Sequence, residues 1–211
     1  MRDGQLRIIG TSSLLTFGPS VVLEVQKQRK WAHSPEDALA IGIGCIGGSR
    51  ENDETVIATL RRECAEEIAC EVKLRSAEYT IDISPTGLQI YDDLTFDGLR
   101  PAMVWEDAAP GLMPELVADV KVAVFLGMVD KQPKPVDLPA ILYAPSSLIC
   151  ELADGDCTVG DLRSRHAKLE ARIDIPPNAR LEPVGTLKHL IHLRRTDPQL
   201  YKELTESIYV R

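Results

Sequence analysis

The sequence lacks the features that mark several specialised classes of protein. Its five cysteines are an odd number and include no Cys-x-x-Cys pair, which excludes a disulfide framework and a zinc knuckle. No apolar stretch approaches the roughly 18 residues that a membrane-spanning helix needs. The N-terminal segment has no long apolar core followed by a cleavage site, so we expect no secretory signal and a cytoplasmic location.

A surplus of basic residues is also missing. The 24 Lys and Arg residues are outnumbered by 32 Asp and Glu residues, which gives a net charge of −8. This balance argues against broad nucleic-acid binding, because such binding depends on cationic side chains that neutralise phosphates. It does not exclude small anionic substrates, since divalent cations held by carboxylates can bridge to phosphate.

The pattern of apolar runs and turn residues predicts an α/β protein. Runs bounded by Gly, Pro or Asp predict strands at 6–15, 21–25, 38–46, 72–83, 88–94, 120–129 and 138–143. Apolar residues at helical spacing predict helices at 54–68, 145–152 and 158–171, with two more in the tail, the first beginning near Pro183 and the second at 198–208. Residues 97–114, rich in proline, predict an irregular segment beside the sheet. We expect a core domain at 1–145 and a helical C-terminal extension at 146–211, packed on the same domain.

The helix predicted at 54–68 carries an unusual arrangement of glutamates. On a helical wheel with Leu60 at zero, Glu66 falls near about 240°, Glu63 near about 300° and Glu67 near about 340°. The carboxylates therefore run into the apolar arc instead of facing away from it. Like charges at the edge of a core repel one another and lose hydration, which a bound cation would offset. Their spacing of three and four residues predicts a site for a hard cation such as Mg²⁺.

The segment 48–70 resembles the Nudix box, which reads Gly, five residues, Glu, seven residues, Arg-Glu, an aliphatic residue, any residue, Glu-Glu, any residue, Gly and an aliphatic residue. Six positions match this pattern: Gly48, Glu54, Arg62, Glu63, Glu66 and Glu67. Cys64 and Cys70 take the aliphatic positions and serve as small buried hydrophobes. Ala69 stands where the family has glycine, which predicts a slightly longer helix, because glycine there permits a positive φ.

The resemblance implies a Nudix-type α/β/α sandwich with a mixed central sheet, to which the C-terminal helices are added. It also implies a metal-dependent hydrolase that cleaves the diphosphate linkage of a nucleoside diphosphate derivative with Mg²⁺ or Mn²⁺. Glu63, Glu66 and Glu67 would coordinate metal, and Arg62 would orient a carboxylate such as Glu54. Gly47, Gly48 and Glu54 are the residues expected at the substrate phosphates. Two phosphate-bearing products would result.

Two other functions stay open at this stage. A catalytically silent module of the same fold would sense a nucleotide, and an isoprenoid diphosphate isomerase would need a cysteine and a further glutamate facing its substrate. No membrane or nucleic-acid partner is expected, whereas a homodimer is left open. Weaker site candidates are a tryptophan that could stack on a base and a distal carboxylate that could act as base: Trp105, Glu151, Asp154 and Asp156.

Overall fold

The computed structural model describes residues 6–33, 38–51, 53–106, 120–152, 155 and 157–209. These residues form thirteen strands, numbered here in chain order. They are β1 Arg7–Phe17, β2 Ser20–Val25, β3 Ala32–His33, β4 Leu39–Cys45, β5 Gly47–Ser49, β6 Lys73–Arg75, β7 Thr80–Ser84, β8 Gly87–Tyr91, β9 Met103–Glu106, β10 Val120–Met128, β11 Ala140–Ala144, β12 Lys168–Ala171 and β13 Arg180–Pro183. Four α-helices accompany them: α1 Val56–Ile68, α2 Ser146–Leu152, α3 Thr186–Thr196 and α4 Pro198–Ser207.

The strands form one mixed sheet. Its main path runs β12-β11-β2-β1-β10-β9-β7-β8, and β4 joins it through β2 while carrying β3 and β13. The pairs β1 with β10, β7 with β9 and β4 with β13 are parallel, and the other pairs are antiparallel. Short β5 pairs with β1, and β6 pairs with β10. The mixed central sheet expected from the sequence is confirmed.

Helices cover both faces of the sheet. Successive residues of a strand point to opposite faces, so each strand contributes side chains to both helical layers. In β1, Leu14 packs with the helices α2, α3 and α4, whereas Leu15 packs with α1. Each face thus has its own apolar core, and the α/β/α sandwich with C-terminal helices is confirmed. No helix in the described ranges has the length and hydropathy that crossing a membrane requires.

The segment 146–211 is less helical than the sequence indicated. The helix predicted at 158–171 is wrong: Val159–Asp161 is a single 3₁₀ turn, and β12 pairs with the edge of β11. Pro183 ends β13 instead of starting a helix, and α3 begins only after Gly185. Pairing with open sheet edges outweighs local helical periodicity at both places, because it satisfies backbone hydrogen bonds. The division at residue 145 stays a prediction.

Two other sequence predictions need correction. Residues 72–83 contain two strands, β6 and β7, instead of one. The segment 97–114 is not irregular throughout, because Met103–Glu106 forms β9 between β10 and β7. Met103 and Val104 are fully buried there, so burial on both faces gives this stretch its strand conformation. Residues 107–114 lie outside the described part of the chain.

Candidate active site

Strand β5 brings the glycine-rich loop against β1 before α1 begins. Gly47 pairs with Ser12 and Gly48 with Thr11. A Cβ on Gly47 would lie 2.6 Å from the Ser12 Cα, and one on Gly48 would lie 2.7 Å from Glu63 Oε2. Both positions require glycine because neighbouring atoms occupy the space of a side chain. The strand, the loop and the helix are therefore in direct contact at this point.

Hydrogen bonds hold the loop between β5 and α1 in place at both of its ends. The Arg50 guanidinium donates to the Glu54 carbonyl oxygen at 2.6 Å and to the Ile8 carbonyl oxygen at 3.1 Å. The Thr55 hydroxyl accepts the backbone N–H of Ala58 at 3.2 Å, which caps the helix N-terminus. These contacts fix where α1 starts, and with it the direction in which its glutamates project.

Arg62 is bonded to three of the matching glutamates. Its Nε and Nη2 donate to the two carboxylate oxygens of Glu54 at 2.8 and 3.2 Å, and Nη1 donates to Glu63 at 2.8 Å and Glu66 at 3.0 Å. Arg62 thus pairs with Glu54, as predicted. The guanidinium lowers the pKa of Glu54 to about 2. Planar two-point pairing of this kind holds a carboxylate in one orientation.

The three helix glutamates differ in burial as the helical wheel predicts. The Glu66 side chain is 56% exposed, that of Glu63 is 14% exposed, and Glu67 as a residue is only 5% exposed. Glu67 Oε2 is buried without a hydrogen-bond partner among the described residues. Burial is the main cause that raises the Glu67 pKa to about 8, and the charges of Glu24 and Glu63 add to it.

Glu24 is a site residue that the sequence interpretation missed. It lies half-buried near the end of β2. Burial is the main cause that raises its pKa to about 7; the charges of Lys30 and Lys27 oppose the rise, and the charge of Glu63 adds to it. A Cβ on Gly44 of the neighbouring strand would lie 2.8 Å from Glu24 Oε1. The signal was visible in the sequence as one charged residue inside the apolar run 21–25, which reads Val-Val-Leu-Glu-Val.

A cleft of about 240 Å³ opens beside these groups. Glu24, Gln26 and Lys30 line one part of it, together with Gly47 and with Gly48, on which the Glu63 carboxylate packs. Lys30 contributes positive charge to a site otherwise rich in carboxylates. The cleft therefore has acidic side chains that attract a cation and a lysine that can interact with an anionic molecule.

Trp105 forms a more apolar part of the cleft wall. Its Nε1 donates to the Thr186 hydroxyl at 3.0 Å, and its ring stacks on His189 with centroids 4.4 Å apart and planes 21° apart. Burial lowers the His189 pKa to about 4, so the ring is neutral at pH 7. Trp105 belongs to β9 and is largely buried, so most of its indole packs within the fold. His189 is part of the same packing.

The residues at this site fit a divalent cation, although they do not yet converge on one point. Among the described side chains, no group of three or more His, Cys, Asp or Glu is arranged as a complete metal site. The unpartnered Glu67 Oε2 and the Glu63 carboxylate, which packs on Gly48, nevertheless supply oxygen ligands of the kind that Mg²⁺ or Mn²⁺ prefers.

The distal carboxylates considered as bases receive no support. Glu151 lies on α2, forms an ion pair with Arg165 and does not line the cleft. Asp154 and Asp156 lie outside the described residues.

Comparison with known proteins finds similarity to solved structures alone. No family model matches the chain, and no curated protein does. Among solved structures, the fold is similar to a Nudix hydrolase from Clostridium perfringens (TM-score 0.41, 12% identity, 69% of this chain and 85% of that one). It is also similar to a Nudix hydrolase from Nitrosomonas europaea, with a TM-score of 0.36 and 14% identity over 92% of this chain and 74% of that one. A third similar structure is an ADP-ribose pyrophosphatase from Streptococcus suis, with a TM-score of 0.37 and 9% identity over 98% of this chain and 95% of that one. Two of these three are Nudix hydrolases by name. At such identities the similarity concerns the fold, so the function proposed below rests on the side chains of this chain.

Proposed function

We propose that this chain is a Nudix-type hydrolase that cleaves the diphosphate linkage of a nucleoside diphosphate derivative with the help of Mg²⁺ or Mn²⁺. The observation that carries the proposal is the buried Glu67 carboxylate, whose Oε2 has no partner among the described residues and whose neighbours Glu24 and Glu63 are also acidic. Unpaired carboxylates in such a position are costly unless a cation neutralises them. A bound divalent cation would supply charge against the diphosphate oxygens and acidify a water molecule.

Some residues of the site would hold the cation, and others would orient its ligands or bind the phosphate groups of the substrate. Glu63 and Glu67 would hold the cation, with Glu66 as the more exposed third ligand. Arg62 fixes Glu54, Glu63 and Glu66 through hydrogen bonds of 2.8 to 3.2 Å, so that the ligands are oriented before substrate arrives. Gly47 and Gly48 let the loop pack closely on β1 and α1, and their backbone lines the cleft where a phosphate group would bind.

The lining of the cleft supports an anionic substrate with a less polar end. Lys30 supplies positive charge near the glycine loop, and Gln26 supplies amide donors. Trp105 lies at another part of the same wall, where its indole is held by Thr186 and His189. This combination suits a diphosphate attached to a group with an apolar face, such as a nucleoside.

The test is product analysis of the full chain against a panel of nucleoside diphosphate derivatives with Mg²⁺ and with Mn²⁺. We expect two phosphate-bearing products from at least one substrate. Glu67→Gln should abolish turnover while its circular dichroism spectrum stays that of the wild type. Glu71→Gln is the matched control, because Glu71 is exposed just beyond the helix. Retained turnover in Glu67→Gln would contradict the role of Glu67.

One observation favours the alternative of a catalytically silent nucleotide-sensing module. Arg62 Nη1 already bonds two predicted ligands, Glu63 and Glu66, which compensates part of their charge without metal. Such a module would bind nucleotides in calorimetry and release no product from any member of the panel. The same panel therefore separates the two functions.

The structure also bears on the isomerase alternative. Cys45 lines the cleft beside Glu24, a pairing that the sequence alone could not place. The Cys45 thiol is buried, and burial followed by the charge of Glu24 raises its pKa, so the thiol stays protonated. Adding an isoprenoid diphosphate to the panel tests this function. Movement of its double bond with the diphosphate intact would favour isomerisation over hydrolysis.

A further inference from the structure

Glu24 lines the cleft and belongs to a different element from the helix glutamates. It is carried by β2, whereas Glu63 and Glu67 are carried by α1, and Gly47 and Gly48 line the cleft together with Glu24. Gly48 packs directly on the Glu63 carboxylate, and Gly44 leaves room for the Glu24 carboxylate. Two glycines thus make space for two acidic side chains at one cleft.

Two buried polar atoms near this point have no partner among the described residues. One is Glu67 Oε2, and the other is the hydroxyl oxygen of Thr11, a residue that is only 2% exposed. Thr11 lines the cleft and pairs with Gly48 across β1 and β5. Buried polar atoms in native proteins are nearly always paired, so two orphans beside one cleft point to a ligand that contacts this region.

We propose that Glu24 is a ligand of the same divalent cation as Glu63 and Glu67, so that the cation links strand β2 to helix α1. This inference rests on the proposed function, but it assigns to the site a residue outside the segment 48–70. Glu24, Thr11 and Gly48 all line one cleft, and Gly48 packs on the Glu63 carboxylate, which agrees with a cation between the two elements.

A purely structural role for Glu24 is the competing explanation. A half-buried acid in a strand can also persist through interaction with Lys27 and Lys30, which oppose the rise of its pKa. Under that explanation Glu24 would have no effect on a metal ion. Direct measurement of cation binding without substrate therefore distinguishes the two roles.

The experiment measures Mn²⁺ binding to the full chain by calorimetry and by electron paramagnetic resonance. The variants are Glu24→Gln, Glu67→Gln and Gly44→Ala, and the last moves the Glu24 carboxylate without removing its charge. Glu182→Gln is the matched control, because Glu182 is an exposed glutamate on strand β13. Circular dichroism verifies that each variant is folded.

We expect Glu24→Gln and Gly44→Ala to weaken Mn²⁺ binding about tenfold or more, whereas Glu182→Gln binds as the wild type does. Binding that is lost in Glu67→Gln but unchanged in Glu24→Gln would overturn the assignment of Glu24 and leave the proposed function intact. A wild-type chain that binds no Mn²⁺ would overturn both. If Glu24→Gln fails to fold, unchanged binding in Gly44→Ala overturns the assignment by itself.

Discussion

Gly48 lies so close to Glu63 that a Cβ at position 48 would stand 2.7 Å from Glu63 Oε2. The two residues belong to β5 and α1, and this contact is where the loop meets the helix that carries the candidate ligands. Glycine at this position therefore has a role beyond backbone freedom: it leaves the Glu63 carboxylate in place.

The first prediction follows from that contact. Gly48→Ala should displace the Glu63 carboxylate and lower Mn²⁺ affinity about tenfold, comparable to disturbing a residue that orients a metal ligand. Calorimetric titration with Mn²⁺ measures the effect. Ser49→Ala is the control in the same strand, because residue 49 already carries a Cβ and should keep wild-type affinity. Equal affinities for Gly48→Ala and wild type would show that Glu63 does not bind the ion.

The second prediction concerns the guanidinium of Arg62. Arg62→Lys retains the charge but loses the two-point contact with Glu54 and cannot reach Glu63 and Glu66 in the same geometry. Turnover of the best panel substrate at saturation should fall roughly 10- to 100-fold, and the melting temperature should fall as well.

Arg61→Lys provides the control for this change. Arg61 is the adjacent residue on α1 and is exposed, so the same substitution there should leave turnover and melting temperature unchanged. If Arg62→Lys behaves like Arg61→Lys, the hydrogen bonds of Arg62 do not orient the ligands.

The sequence predicted the part of the site that lies on one element. Glu63, Glu66 and Glu67 share α1, and a helix fixes angular positions so strictly that the wheel gave their order of burial. Glu24 and Thr11 could not be placed in this way. They reach the site only because β2, β1 and β5 are neighbours in the sheet, and strand order is set by pairings distant in sequence.

The fold predictions failed where tertiary contacts compete with local preference. Residues 168–171 have helical spacing in the sequence, yet they form β12 because the edge of β11 offers backbone partners. Met103–Glu106 follows Pro101 and still forms β9, since Met103, Val104 and Trp105 are buried. Apolar periodicity alone reports neither condition.

The third prediction concerns the end of α1. We expected a slightly longer helix because Ala69 replaces glycine, and this is wrong: the helix ends at Ile68, and Ala69 adopts the left-handed conformation with φ 54°. Its N–H still bonds the Ala65 carbonyl oxygen at 3.2 Å. A non-glycine residue in this conformation costs on the order of 1 kcal/mol.

Ala69→Gly should therefore raise the free energy of unfolding by about 1 kcal/mol, as measured by urea denaturation. Ala65→Gly is the control of opposite sign, because Ala65 is exposed inside the same helix, where glycine should destabilise by about 1 kcal/mol. If both variants shift stability in the same direction, the left-handed conformation of Ala69 is not the cause.

The fourth prediction is a pH dependence from the stacked pair Trp105 and His189. Burial holds the His189 pKa near about 4, below the ordinary 6.5, so the folded state favours the neutral ring. The resulting stability is present above pH 6.5 and is lost as pH falls from 6.5 towards 4. His189→Phe keeps an aromatic ring but has no group that titrates. Between pH 6.5 and pH 4 its free energy of unfolding should fall by about 1 to 2 kcal/mol less than that of the wild type, after allowance for partial exposure.

Denaturation at pH 7 and pH 4.5 measures this difference, with indole fluorescence of Trp105 in a Trp31→Phe background as the probe. His166→Phe is the control, because His166 is an exposed histidine outside the stacked pair and the variant should show the pH response of the parent. The charges of Glu24 and Glu67 change stability in the opposite sense, since their pKa values are raised and ionisation above pH 4.5 opposes folding. They are common to all variants, so the difference between His189→Phe and parent isolates the ring. A His189→Phe variant that loses as much stability as its parent would show that the His189 pKa is the same in the folded and unfolded states, and that the stack with Trp105 is not responsible for the acid sensitivity.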